Sequence, residues 1–394
     1  MKPIDLAGRL TTARGTILLS ADTNSRRSAR ALCLALLAVA TSAAGPAVRV
    51  ERVDAAPGGR VPLLMRVVGR AEPAAARMIR RQWPGSYVET RFRGTQAFFR
   101  VGAGEVSLRV TIDGGAPISL VRPAPGLYRV GPLGRGEHRL RVQVVSESQA
   151  GATEQGDFTA PAGSRALRVD VPARQIEFIG DSHTVGYANR SNKAACTERE
   201  VWDTTDTAAG LPGQLAARYR ADYRVNAISG RGVVRNYDGN LWDTLPTAYP
   251  YTLFNKTRRA DDAGWHPGVI VVALGTNDFT TALHPNERWA TRDALHKDFE
   301  QGYARFLSDL RSQHPRALIV VWATPIANGE VIAEARATVA RLTRAGERRL
   351  AFVAVDGLGF RACHGHPDLT DDARIADAVA AQIDARGDAW SEGK

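Results

Sequence analysis

Cysteine is scarce in this chain, three among 394 residues, and no cluster of Cys, Asp or Glu with zinc-like spacing joins the histidines. A metal-built scaffold is therefore excluded. The apolar stretch Ala31 to Ala40 is about ten residues, against the ~20 that a bilayer-spanning helix needs, so stable membrane insertion is not expected. Also missing is any Lys/Arg run interleaved with aromatics, which argues against nucleic acid as a partner. The net charge is nonetheless +11, and the first 44 residues carry six basic and two acidic side chains, so about +7 remains beyond Ala44. Dispersed arginines on a solvated surface account for it, with acidic polysaccharide or an anionic cell surface as the attraction it allows.

The balance of 44% hydrophobic and 24% charged residues is that of a globular protein, and the length suits two domains. Arg26-Arg27-Ser28-Ala29-Arg30, the apolar stretch after it and the small residues Thr41-Ser42-Ala43-Ala44 have the three regions of a secretory signal, with cleavage expected near Ala44. Residues 1–44 are thus read as a signal with an extended leading region, and the chain as secreted or periplasmic. Ser25-Arg26-Arg27 hints at a twin-arginine signal, although the residues after it depart from the usual pattern. Cys33 falls in that segment, which leaves Cys196 and Cys363. An even pair in an oxidising compartment points to a disulfide, with two free thiols as the alternative.

Two patterns divide the remainder. From residue 46 to 168, short runs alternate: Val106, Leu108, Val110 and Ile112 in one, Leu140, Val142 and Val144 in another, with Asp113-Gly114-Gly115 and the segment Gly131 to Gly136 as turns. This reads as an antiparallel sandwich. From residue 172 to 390 the expectation is a three-layer α/β domain with a parallel sheet. Its strands fall at 175–179, 223–227, 268–274, 317–323 and 350–355, and its helices at 211–219, 292–313, 329–345 and 371–385.

Chemistry gathers at the ends of those strands. Ile176 to Ile179 run into Gly180-Asp181-Ser182, which sets a hydroxyl on a strand-to-helix turn, at the sheet edge where open α/β folds bind ligands. The tripeptide alone is common; three later segments give it meaning. Asn226-Ala227-Ile228-Ser229-Gly230-Arg231-Gly232 ends a second strand, and its glycine lets a backbone N–H approach a ligand closely. Leu274-Gly275-Thr276-Asn277-Asp278 ends a third and can aim the Asn277 amide into the same crevice. Cys363-His364-Gly365-His366-Pro367 supplies an imidazole as general base. A nucleophile, oxyanion donors and a base are what ester cleavage requires, with no metal or cofactor.

This order of motifs resembles the SGNH (GDSL-type) serine hydrolases. Residues 229–237, 274–279 and Trp83-Pro84-Gly85-Ser86-Tyr87-Val88-Glu89 are closer still to carbohydrate esterase family 2, over roughly residues 50 to 385. The resemblance implies a jelly-roll sandwich ahead of an SGNH hydrolase domain that removes O-acetyl groups from xylan and glucomannan. It also implies Ser182 as nucleophile, His366 as base, and an oxyanion hole of the Ser182 and Gly230 amides with the Asn277 side chain. The SGNH pattern carries an Asp three residues before the catalytic His, and Cys363 stands there. A Ser-His dyad oriented by a backbone carbonyl is expected, with Asp356 or Asp368 as the carboxylates that could serve instead.

Among the eight histidines, His183 follows the nucleophile and is read as structural, and His364 with His366 is not read as a metal pair. Trp202, Tyr237, Trp242, Tyr249, Tyr251 and Trp265 cluster between the motifs, and one or two of them are expected to stack on a sugar. The stretch Asn236 to Trp265 is the candidate substrate-facing loop. Two other readings fit the same residues: a lipase or lysophospholipase, which would want a long apolar acyl groove, and a noncatalytic glycan-binding protein, which would have lost the base.

Overall fold

The computed structural model describes residues 47–390; the expected signal, with Ser25-Arg26-Arg27, Cys33 and the cleavage position at Ala44, lies outside them. In the first part of the described chain, alternating strands form two antiparallel sheets. The seven-stranded sheet runs Arg49–Val53, Gly126–Gly131, Ala97–Val101, Thr153–Pro161, Met78–Arg81, Ala71–Pro73, with Arg60–Pro62 also on Thr153–Pro161. The six-stranded sheet runs Arg165–Leu167, Tyr87–Gly94, Gly136–Val144, Ser107–Ile112, Ile118–Val121, with Arg66–Val68 on Tyr87–Gly94. Their inner faces share one core. Val88, Phe92, Leu108 and Val142 come from one sheet and Phe99, Val101, Val130 and Phe158 from the other, all at most 1% exposed. Each such side chain contributes ~1.5–3 kcal/mol by leaving water, so the period-2 pattern sets the register of the sandwich.

The parallel sheet has the order Asp222–Ala227, Gln175–Gly180, Val269–Ala273, Leu318–Ala323, Leu350–Ala354. Every residue of Val269–Ala273 and of Leu318–Ala323 is buried, which is why these strands are continuous apolar runs. Leu211 and Ile375 on helices Leu211–Tyr219 and Leu369–Asp384 pack one face; Leu295 and Val331 on Arg292–Gln313 and Glu330–Arg344 pack the other. Gly180 is level with Ala227 on one side and Ala273 on the other. The three turns at these strand ends therefore emerge together, at the point where the strand order reverses and α/β sheets open a crevice.

The sandwich and the α/β part share buried contacts. Trp83 is fully buried, packs edge-on to Phe254 at 4.8 Å and donates its indole N–H to the Tyr251 carbonyl at 3.0 Å. Tyr87 donates to Asp222 at 2.8 Å, and Arg66 pairs with both Asp222 and Glu89. Within the sheet, buried Glu177 accepts from Asn226 at 2.6 Å, Tyr249 at 2.8 Å and Trp265 at 3.2 Å. Tyr249 and Trp265 are therefore core residues holding a buried carboxylate, which removes them from the sugar-stacking candidates. Trp202 lies under Arg122, and Tyr251 lends its carbonyl to Trp83.

Candidate active site

Ser182 opens a single helical turn, Ser182–Val185, whose N-cap Asp181 accepts from the His183 amide at 3.1 Å. Ser182 is only 5% exposed and its hydroxyl faces His366, whose Nε2 lies 2.9 Å from Ser182 Oγ. The other ring nitrogen, Nδ1, is 2.9 Å from the Cys363 carbonyl oxygen. A carbonyl can only accept, so Nδ1 carries the proton and Nε2 is left as an acceptor for the serine hydroxyl. Burial drives the imidazole toward its neutral form, its pKa lowered to about 4.

Neither candidate carboxylate is hydrogen-bonded to His366 among the described residues. Asp356 is exposed on the chain leaving the last strand. Asp368 caps helix Leu369–Asp384, accepting from the Thr370 and Asp371 amides at 2.8 and 2.9 Å, and spends its other oxygen on Arg361. Among the described residues His366 makes no hydrogen bond to either, because the cap draws Asp368 into its own helix terminus. The carbonyl that orients His366 belongs to a half-cystine: Cys363 is disulfide-bonded to Cys196. The two segments are further joined by the His364 amide donating to the Ala194 carbonyl at 2.7 Å and His364 Nε2 donating to the Cys196 carbonyl at 3.1 Å. Tyr187 packs its ring 4.4 Å from the His366 ring and donates its hydroxyl to His364 Nδ1 at 3.0 Å.

His183 is 6% exposed, stacks on Trp322 and meets the His366 ring edge-on at 5.7 Å. Burial lowers its pKa to about 3, so the second imidazole adds no charge beside the first.

Across the crevice, Gly230 has φ +80° and neither its amide nor that of Ser182 is spent on another group among the described residues. Asn277 sits on the one-turn helix Thr276–Phe279 and donates to Asp181 at 3.1 Å and to the Arg231 carbonyl at 2.9 Å. Its amide hydrogens are thus shared with the loop that carries Gly230. Burial, with Asp278 nearby, raises the Asp181 pKa to about 7. Asp278 itself accepts from the amides of Val233, Val234 and Arg235, each at 2.9 Å. A Cβ on Gly232 would stand 2.0 Å from the Arg235 carbonyl and 2.4 Å from the Asp278 carboxylate, so only glycine permits this fold of the loop. The second acid of Gly275-Thr276-Asn277-Asp278 and the second glycine of Ser229-Gly230-Arg231-Gly232 are therefore parts of one loop anchor. Their proximity in space, not visible in the spacing, gives them that role.

These groups line a cleft of about 590 Å³. Tyr237 stands half-exposed at its wall, and Trp242, also half-exposed, lies over Gly230 with the Arg231 guanidinium 4.7 Å from its ring. The stretch Asn236 to Trp265 thus divides, its early part facing solvent at the cleft and its later part, with Tyr249 and Leu253, entering the core.

The family called Carbohydrate esterase 2 N-terminal matches residues 67–169, and the GDSL-like Lipase/Acylhydrolase family matches residues 178–379. An acetylxylan esterase / glucomannan deacetylase of Cellvibrio japonicus is 36% identical over 309 residues, 78% of this chain and 86% of that one. The chain belongs to carbohydrate esterase family 2. It is accordingly an esterase of the SGNH type. Among solved structures, a carbohydrate esterase whose active site displays divergent catalytic and non-catalytic binding functions superposes with TM-score 0.79 at 34% identity, over 84% of this chain and all of that one. A family two carbohydrate esterase from Clostridium thermocellum in complex with cellohexaose gives TM-score 0.71 at 25% identity, over 83% and 98%. Among the described residues no helix of this esterase is long and apolar enough to cross a membrane.

Proposed function

We propose that this esterase removes O-acetyl groups from xylan and glucomannan through an acetyl-enzyme on Ser182. The observation that carries the reading is the 2.9 Å contact between Ser182 Oγ and His366 Nε2, in a cleft that also presents two unspent backbone amides. The serine oxygen attacks the acetyl carbonyl carbon as its proton passes to Nε2. The resulting oxyanion accepts hydrogen bonds from the Ser182 and Gly230 amides and from Asn277, which turns the amide hydrogen now given to Asp181 toward it, and collapses as His366 returns the proton to the departing sugar oxygen. Water, deprotonated by the same imidazole, then cleaves the acetyl-serine and releases acetate. The Cys363 carbonyl takes the orienting role that a carboxylate fills in a triad.

Tyr237 and Trp242 at the rim suit a sugar face better than an acyl chain, and the activity named for the Cellvibrio japonicus relative supports the same substrate class. The segment 1–44 is read as the signal that exports the enzyme to where such polymers are met. Acetate release from acetylated xylan and acetylated glucomannan tests the reading, beside Ser182→Ala and His366→Ala. Release that disappears in both variants is the expected result. Preference for long-chain acyl esters, or no turnover of any ester, would overturn it.

A further inference from the structure

Gly230 has no side chain to hold it, so its amide is placed only by its neighbours. On one flank, Arg231 is held through its carbonyl by Asn277. On the other flank the partner comes from the sandwich. Glu147, on the turn between strands Gly136–Val144 and Thr153–Pro161, accepts from the Ser229 amide at 2.8 Å. Gln149 on the same turn donates to the Ser229 carbonyl at 3.2 Å and to the Glu147 carboxylate at 3.2 Å. Both polar groups of the Ser229 backbone are thus bound by one sandwich turn. That turn is itself docked: the Thr207 amide donates to the Val145 carbonyl at 3.1 Å, and the Thr207 hydroxyl lies 3.0 Å from the same carbonyl and 2.7 Å from that of Val185, the last residue of the nucleophile's helical turn. One sandwich turn is therefore tied to both halves of the oxyanion hole.

We propose that the sandwich is part of the catalytic apparatus, with Glu147 a positioning residue that fixes the Gly230 amide through Ser229 and Gln149 its support. The inference rests on the reading of Gly230 as an oxyanion donor. A domain brace and a positioning device differ in what their loss changes: the first lowers stability, the second lowers kcat on any ester that uses the oxyanion hole, however small.

The test measures kcat, KM and Tm on a short aryl acetate for Glu147→Ala, Glu147→Gln, Gln149→Ala and Ser182→Ala. Displacing an oxyanion donor by a fraction of an ångström predicts that Glu147→Ala loses about 10- to 100-fold in kcat while KM moves less than about 3-fold. Glu147→Gln, whose amide oxygen can still accept from Ser229, should recover to within about 5-fold of wild type, and Gln149→Ala should lose about 2- to 5-fold. If Ser182→Ala is inactive while Glu147→Ala keeps wild-type kcat, the positioning role is wrong and the esterase reading stands. A rise in KM alone would make Glu147 a substrate contact and also overturn it. Should Glu147→Ala fail to fold, Gln149→Ala decides, and an unchanged kcat there counts against the proposal. Activity surviving in Ser182→Ala would remove the underlying reading of the site first.

Discussion

Two loops face each other across Ser182, and they are held in place by different means. The loop carrying His366 is fixed by a covalent bond between Cys363 and Cys196 and by the Cys363 carbonyl on the ring. The loop carrying Gly230 has no covalent tie and is held by hydrogen bonds with Asn277, Asp278, Glu147 and Gln149, groups that come from two different parts of the fold, and by packing of Ile228 and Val233. On the proposed mechanism the difference reflects what each loop must do. A base has to hold one ring in one tautomer, and a rigid backbone carbonyl suffices for that. An oxyanion hole has to aim amide dipoles at charge that appears only in the transition state, and preorganised dipoles in a buried site are the efficient way to do so.

Removing Asn277 breaks the hydrogen-bonded side twice, as the proposed oxyanion donor and as the anchor of Arg231. Asn277→Ala should therefore cost about 10²- to 10³-fold in kcat, measured on a short acetyl ester with KM followed in parallel. On the covalent side, Cys196→Ser frees the Cys363 segment and should lower kcat by about 10-fold or more through misplacement of His366. The loop closed by the bridge spans 167 residues, so its loss should also remove about 2–4 kcal/mol of stability, read from chemical denaturation. Equal kcat in Cys196→Ser and wild type would show that the hydrogen bonds of His364 hold that loop without the bridge.

The pH profile separates the loops again. As the proposed base, His366 must be neutral to accept the serine proton, so activity is expected above its pKa and lost below it. Because burial has lowered that pKa to about 4, the acid limb of kcat/KM should fall near that value rather than near the ~6.5 of a free imidazole. Asp181, the N-cap of the Ser182 turn, with its pKa raised to about 7 by burial, would add a limb near neutrality were its charge required. Asp181→Asn, which keeps a capping side chain, should leave the limb near 4 in place.

The same division governs how much could be read from the sequence. Strands such as Val269–Ala273, buried on both faces, announce themselves as apolar runs, and their polar ends marked Ser182 and Asn277 as neighbours. Helix Leu211–Tyr219 has the expected bounds, and Pro212 in its first turn suits that start. Tyr87–Gly94 was not legible, since polar Thr90 lies buried between Val88 and Phe92 on the core-facing side and breaks the apolar alternation. Tyr249 and Trp265 looked available to sugar because their partner Glu177 lies far away in the chain. That a backbone carbonyl orients His366 was legible only through the family resemblance, from Cys363 standing where an acid is the rule; which carbonyl does so came from the structure, and Glu147 meets Ser229 only across 82 positions.

The smallest expected effect tests the account most directly. The measurement is kcat for a short acetyl ester in the double variant Asp356→Asn/Asp368→Asn. A base oriented by the Cys363 carbonyl predicts a value within about 2-fold of wild type, since Asn still caps the helix at 368. A fall on the order of 10⁴, as the loss of a triad carboxylate produces, would contradict the dyad and require one of those acids to turn toward His366.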